Sequence, residues 1–167
     1  SPKHTERQRL RVNTAGQSTV YTPQVMIGRQ VQTVWRASPA VVRALDAAGG
    51  VADVGVALLL ERQGEAGTVR LGVARSGSSA GRLASVWLAQ TVDAQETRVR
   101  DGENAGATLR HDRVVAKLWG PWSLDRLPLS KALDVELGQG AWGLTAFVEA
   151  ADGRLLQSLR MASTDCR

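Results

Sequence analysis

Beyond Gly50 the apolar residues fall on every second position. Val54, Val56, Leu58 and Leu60 alternate with Gly55, Ala57 and Leu59. Val69, Leu71 and Val73 repeat the pattern after the turn-prone stretch Gln63-Gly64-Glu65-Ala66-Gly67. Ala84, Val86 and Leu88 do so again, with Trp87 on the opposite face, and Val114, Ala116 and Leu118 follow. Leu133, Val135 and Leu137 come next, then Trp142, Leu144, Ala146 and Val148. Asp152-Gly153 reads as a hairpin turn into Leu155, Leu159 and Met161. A period of two is the mark of a strand with one face inward. Many short strands with turn signals between them, and no strong helical period among them, predict an antiparallel β-sandwich over 51–162. The Gly/Ser cluster at 76–81 is read as a loop. It is too loose to be a phosphate-binding loop, because no helix follows it.

The first fifty residues have another texture. Residues 4–12, HTERQRLRV, are polar and rich in helix formers, and predict the end of a helix that Ala15-Gly16-Gln17 breaks. Two β-prone runs around Val25–Ile27 and Val31–Trp35 flank Gly28-Arg29, which reads as a tight turn. Ser38 as N-cap and Pro39 at the first helical position open a helix over 39–48, with Val41, Val42 and Leu45 at helical spacing. Gly49-Gly50 ends it and sets the boundary between a unit at 1–50 and a unit at 51–167.

Composition narrows the function classes. Hydrophobic residues make up 43% of the 167 and charged residues 22%, which argues for a packed core over a disordered chain. The net charge of +5 raises nucleic acid as a partner. Arginines spread along the whole chain, without a basic stripe interleaved with aromatics, argue against it. No stretch approaches the ~18 apolar residues of a membrane-spanning helix. The one cysteine, Cys166, has no partner for an intrachain disulfide or a Cys-x-x-Cys motif.

Three groups could carry chemistry or binding. Glu103, Asn104, Arg110 and His111 could combine an acid–base pair with a carboxylate-holding arginine. A structured loop explains them better, since Gly102 and Gly106 permit positive φ and Asn104 suits a turn. That reading expects a compact turn over 101–106, with the Asn104 side chain bonded to backbone and Arg110 or His111 near Glu103. Neither a metal-ligand set nor a cofactor motif accompanies the cluster, so no metal and no cofactor are expected. Trp119 and Trp122, around Gly120-Pro121, could form a sugar or peptide platform, but core or rim packing is the favoured reading. Thr22-Pro23 opens the first β-prone run, where a proline belongs at a strand start or edge.

Two segments, VYTPQVMIGR at 20–29 and DGENAGATLRHDRVVAKL at 101–118, resemble the secreted bacterial proteins of the domain of unknown function (DUF) 1223 family. The resemblance implies a thioredoxin-like domain joined to a C-terminal β domain, and a periplasmic or secreted location. Residues 1–50 are then expected to be the second half of a thioredoxin-like fold, giving an α+β chain: a partial thioredoxin-like α/β segment followed by an all-β sandwich-like domain. Thr22 and a cis Pro23 would shape a groove that docks a protein or peptide substrate. The Cys-x-x-Cys motif of the family has no counterpart here, so catalysis by this chain alone is not expected. The missing half would be a partner or an upstream segment of the gene product. The implied function is part of a thiol–disulfide oxidoreductase-like protein; the alternative is a non-enzymatic binding or structural module of the cell envelope.

Overall fold

The structure, a computed structural model, describes residues 2–21, 24–28, 30–32, 38–50, 52, 54–75 and 84–165. Helix α1 (Pro2–Thr14) leads into a short antiparallel pair, β1 (Val25–Ile27) and β2 (Gln30–Gln32), and then helix α2 (Pro39–Ala48). The strands β3 (Val54–Gln63), β4 (Ala66–Arg75), β5 (Ala84–Val92), β6 (Gln95–Arg98), β7 (Thr108–His111), β8 (Val114–Ser123), β9 (Leu129–Glu136), β10 (Trp142–Ala150) and β11 (Leu155–Ala162) complete the order. Every strand pairing among the described residues is antiparallel.

Two sheets face each other. One has the order β11-β10-β5-β8 and the other β3-β4-β9. The alternation explains their packing: Val69, Leu71 and Val73 of β4 meet Val86 and Leu88 of β5 and Trp142, Leu144, Ala146 and Val148 of β10 in one buried cluster. Val56, Leu58, Leu60 and Leu133 pack against it while partly exposed. Gln90 shares the inner face with Leu144 and donates to the Glu136 carbonyl of the opposite sheet, which satisfies a buried amide.

β8 departs from simple alternation. Its register against β5 shifts twice, between Val86 and Leu88 and between Gln90 and Thr91. Trp119 therefore pairs with Leu88 and Trp122 with Val86, which turns both indoles onto the core, while Leu118 pairs with outward-facing Ala89. Val114 and Leu118, expected inside, are exposed and half-buried respectively. A bulge adds a residue to one strand, so every side chain beyond it changes face.

The expected α+β organisation with a thioredoxin-like half is overturned. The described chain is mostly antiparallel β-sheet, and its early segment does not form a thioredoxin-like α/β layer. A helix in such a layer buries its apolar stripe on a sheet. α2 forms where its sequence predicts, with Ser38 Oγ accepting from Ala40 N, yet none of its residues is buried, and Val42 and Leu45 remain 58% and 56% exposed. Two three-residue strands offer too little surface to cover that stripe. α1 lies against the β11-β10-β5-β8 sheet instead, through contacts described below. Arg29, within the expected turn, and the 76–81 loop lie outside the described residues. Among the described residues no helix is long and apolar enough to cross a membrane.

Candidate functional site

β5 and β8 do not end where their sheet ends. After Asp93-Ala94 the first continues as β6, and β7 returns through Asp112-Arg113 into β8. The result is a hairpin arm, with Gln95 opposite His111, Glu96 opposite Arg110, Thr97 opposite Leu109 and Arg98 opposite Thr108. Ala94 (φ 55°) and Arg113 (φ 57°) both adopt the left-handed region that L residues resist. Two carboxylates hold that joint: Ala94 N donates to Asp112 Oδ1 at 2.9 Å, and Arg113 N donates to Asp93 Oδ1 at 2.7 Å. The crossed pair replaces the ladder bonds lost at the kink and fixes the arm's direction.

The tip closes on backbone bonds. Ala105 N donates to Gly102 O at 3.0 Å, Gly106 N to Val99 O at 2.9 Å, and Ala107 N to Asn104 O at 3.1 Å. Gly102 (φ 86°) and Gly106 (φ 88°) supply the two positive-φ corners. Asn104 thus contributes its main-chain carbonyl to the turn. Among the described residues, no side-chain hydrogen bond or ion pair joins Asn104 to backbone, or Glu103 to Arg110 or His111. All four of these side chains are exposed. The arm thus gathers Glu103, Asn104, Arg110 and His111 on one projecting element without linking them into an acid–base pair.

Trp119 and Trp122 are partly buried and pack against the core, within the core-or-rim reading. Lys117 Nζ lies 4.9 Å from the Trp119 ring centroid. Thr22, Pro23 and Cys166 lie outside the described residues. Among the described residues, cis X-Pro bonds occur at Gly120-Pro121 and Leu127-Pro128. Among the described residues no three His, Cys, Asp or Glu side chains converge as a metal ion would require.

Two features were not anticipated from the sequence. The first is an open cleft of about 490 Å³ lined by Glu61, Gln63, Thr68, Lys117, Asp134 and Glu136. Its carboxylates are already engaged in part: Arg70 Nε donates to Glu61 at 3.1 Å and Thr68 Oγ1 to Asp134 at 3.0 Å. The second lies on the outer face of β5 and β10. Trp87 and Phe147 face each other across the strands, ring centroids 6.3 Å apart and 10° from parallel. Arg7 of α1 stands over both rings, 4.7 Å from the Trp87 centroid and 5.4 Å from that of Phe147. Arg7 reaches Glu149 at 2.7 Å, and Arg11 donates to the other oxygen of the same carboxylate. The available signal was the placement of Trp87 and Phe147 on the outward positions of otherwise alternating strands.

Comparison with known proteins adds a family and a fold. A family model described as "Protein of unknown function (DUF1223)" matches residues 1–149. Among curated proteins none matches. Among solved structures, HBP35 of Porphyromonas gingivalis is similar in fold, with a TM-score of 0.61 at 13% identity over 96% of this chain. The chain spans 58% of the length of that protein's chain.

Proposed function

The chain belongs to the DUF1223 family of proteins of unknown function, and we propose that it acts as an exported, non-enzymatic binding module whose contact surface is the arm at 93–113. One observation carries this reading: the arm is built in advance and left uncovered. Its joint is fixed by the crossed Asp93 and Asp112 bonds, its tip by backbone bonds, and its side chains are mostly exposed. A binding element ordered before its partner arrives avoids most of the entropy cost of ordering on contact. Its chemistry suits a protein partner. Leu109 is 39% exposed beside Thr97, and the opposite face alternates Glu96, Arg98 and Arg110.

The test is photo-crosslinking in intact cells from Glu103 and from Leu109, with Leu59, exposed on β3, as the control position. Discrete adducts from the two arm positions and none from Leu59 are the expected outcome. Adducts of the same kind from all three, or none from the arm, would refute the reading. An oxidoreductase-like role needs a dithiol, which the one cysteine of this sequence cannot form. It would attach to the whole protein. Disulfide reduction by the full-length protein and by this chain separates the two, and equal activity in both removes it.

A further inference from the structure

The outer face of the β11-β10-β5-β8 sheet carries a cradle with the shape of a guanidinium site. Two near-parallel rings, Trp87 and Phe147, lie beside a carboxylate, Glu149, whose side chain is only 9% exposed. A guanidinium is flat, stacks on aromatic faces and donates to a carboxylate from two nitrogens at once. Arg7 and Arg11, one helical turn apart on α1, fill the cradle from within the same chain.

We propose that Trp87, Phe147 and Glu149 form an arginine-binding site, with α1 as its exchangeable internal occupant. The displacing ligand is a helix of another protein that presents two arginines four residues apart.

The character of α1 supports exchange. Its sequence, PKHTERQRLRVNT, is polar nearly all round. Leu10 is 65% exposed, so Val12 is the helix's one fully buried apolar side chain among the described residues. Such a helix has little hydrophobic hold on the sheet. The remaining side-chain hold includes the arginine pair on Glu149, the Arg11 donation to Gly28 O at 3.3 Å, and the Gln8 donations to Gln24 Oε1 at 2.8 Å and Tyr21 O at 3.3 Å. A competing guanidinium reproduces the first and strongest of these. Departure of α1 without a replacement would bare two aromatic rings beside an unpaired carboxylate. The face therefore suits an occupant of the same chemistry.

The test uses the full chain carrying R7Q and R11Q together, read by tryptophan emission. The ligand is an acetylated peptide copying residues 2–16, compared with the same peptide carrying lysine in place of Arg7 and Arg11. The arginine peptide should bind about tenfold more tightly than the lysine peptide, because ammonium neither stacks nor forks. Adding E149Q should abolish the difference. Equal affinities, or no saturable change, overturn the proposal. Should the double variant not fold, amide exchange of residues 5–14 in the unaltered chain decides, with N-acetylarginine amide set against N-acetyllysine amide at equal concentration. Faster exchange confined to α1 and specific to arginine supports the site. An equal response to both, no response, or a parallel rise in β5 and β10 overturns it.

Discussion

Gly120→Ala should be among the most damaging single changes to this fold that remove no atoms. Gly120 sits in the irregular part of β8, between the two core tryptophans, at φ +106°. That value lies beyond the left-handed basin, so an alanine there costs about 1–2 kcal/mol in backbone strain alone. A Cβ at this position would lie 2.7 Å from the Val86 carbonyl oxygen, 3.3 Å from Trp87 Cα and 3.4 Å from Trp87 Cε3. The nearest of these is backbone of a central strand and cannot swing away, so β8 itself must retreat, at about 1–3 kcal/mol for overpacking. The two costs together give roughly 2–5 kcal/mol. With a urea slope of about 2 kcal/mol/M, the middle of the range for a small domain, the midpoint should fall by roughly 1–2.5 M. Two further glycines separate strain from overpacking. Gly138 has φ +66° and nothing within 4 Å of the place a methyl would take, so Gly138→Ala isolates the strain and should cost about 1 kcal/mol. Gly140 has neither feature, and Gly140→Ala should be neutral or stabilising by up to about 1 kcal/mol. Urea unfolding of the three variants, followed by far-UV circular dichroism, checks the order. If Gly120→Ala proved no worse than Gly138→Ala, the close approach of β8 to β5 would be wrong.

Asp93→Ala and Asp112→Ala should each loosen the arm without loosening the sandwich. Each removes one hydrogen bond worth about 1 kcal/mol, so amide exchange within 95–111 should rise roughly five- to tenfold while that of β10 stays constant. Leu88→Ala, fully buried between the sheets, should cost about 2–5 kcal/mol, against less than about 0.5 kcal/mol for Leu59→Ala on the exposed face of β3; thermal melts compare the two. Glu61→Gln breaks an ion pair whose partners are each more than half exposed, and should shift the urea midpoint stability by no more than about 1 kcal/mol at any salt concentration.

The strands were legible where one face of the sheet meets the core and nothing interrupts the register. β4 and β10 show this: Val69, Leu71 and Val73, and Leu144, Ala146 and Val148, are all buried on the face that alternation assigns. β8 was not legible, because its two register shifts depend on how β5 accommodates Gly120 and the tryptophans, a pairwise property that no single strand encodes. The early segment misled for a related reason. The helical spacing of α2 fixes a helix but not what covers it, and the uncovered stripe is what separates this segment from a thioredoxin-like layer. The arm's four candidate residues were found as a group, yet their independence from one another is a matter of side-chain direction. The α1 cradle was out of reach, since Arg11 and Glu149 are separated by 138 positions.

The strand order also bears on how the molecule comes to be made. β5 occupies the middle of its sheet, but its neighbours β8 and β10 are both encoded after it, and β4 likewise waits for β9. A ribosome adding roughly 5–20 residues per second therefore exposes the Val86–Leu88 stripe for several seconds before any β10 residue emerges to cover it. Of the two facing sheets, only the β3–β4 hairpin, whose strands are joined by Gly64-Glu65, can form on the nascent chain by local pairing when β5 first appears. The half-made sheet is an apolar strand with two unpaired edges, the form of intermediate most exposed to aggregation. Synthesis of this fold accordingly places its greatest demand on holdase chaperones between the emergence of residue 92 and that of residue 150.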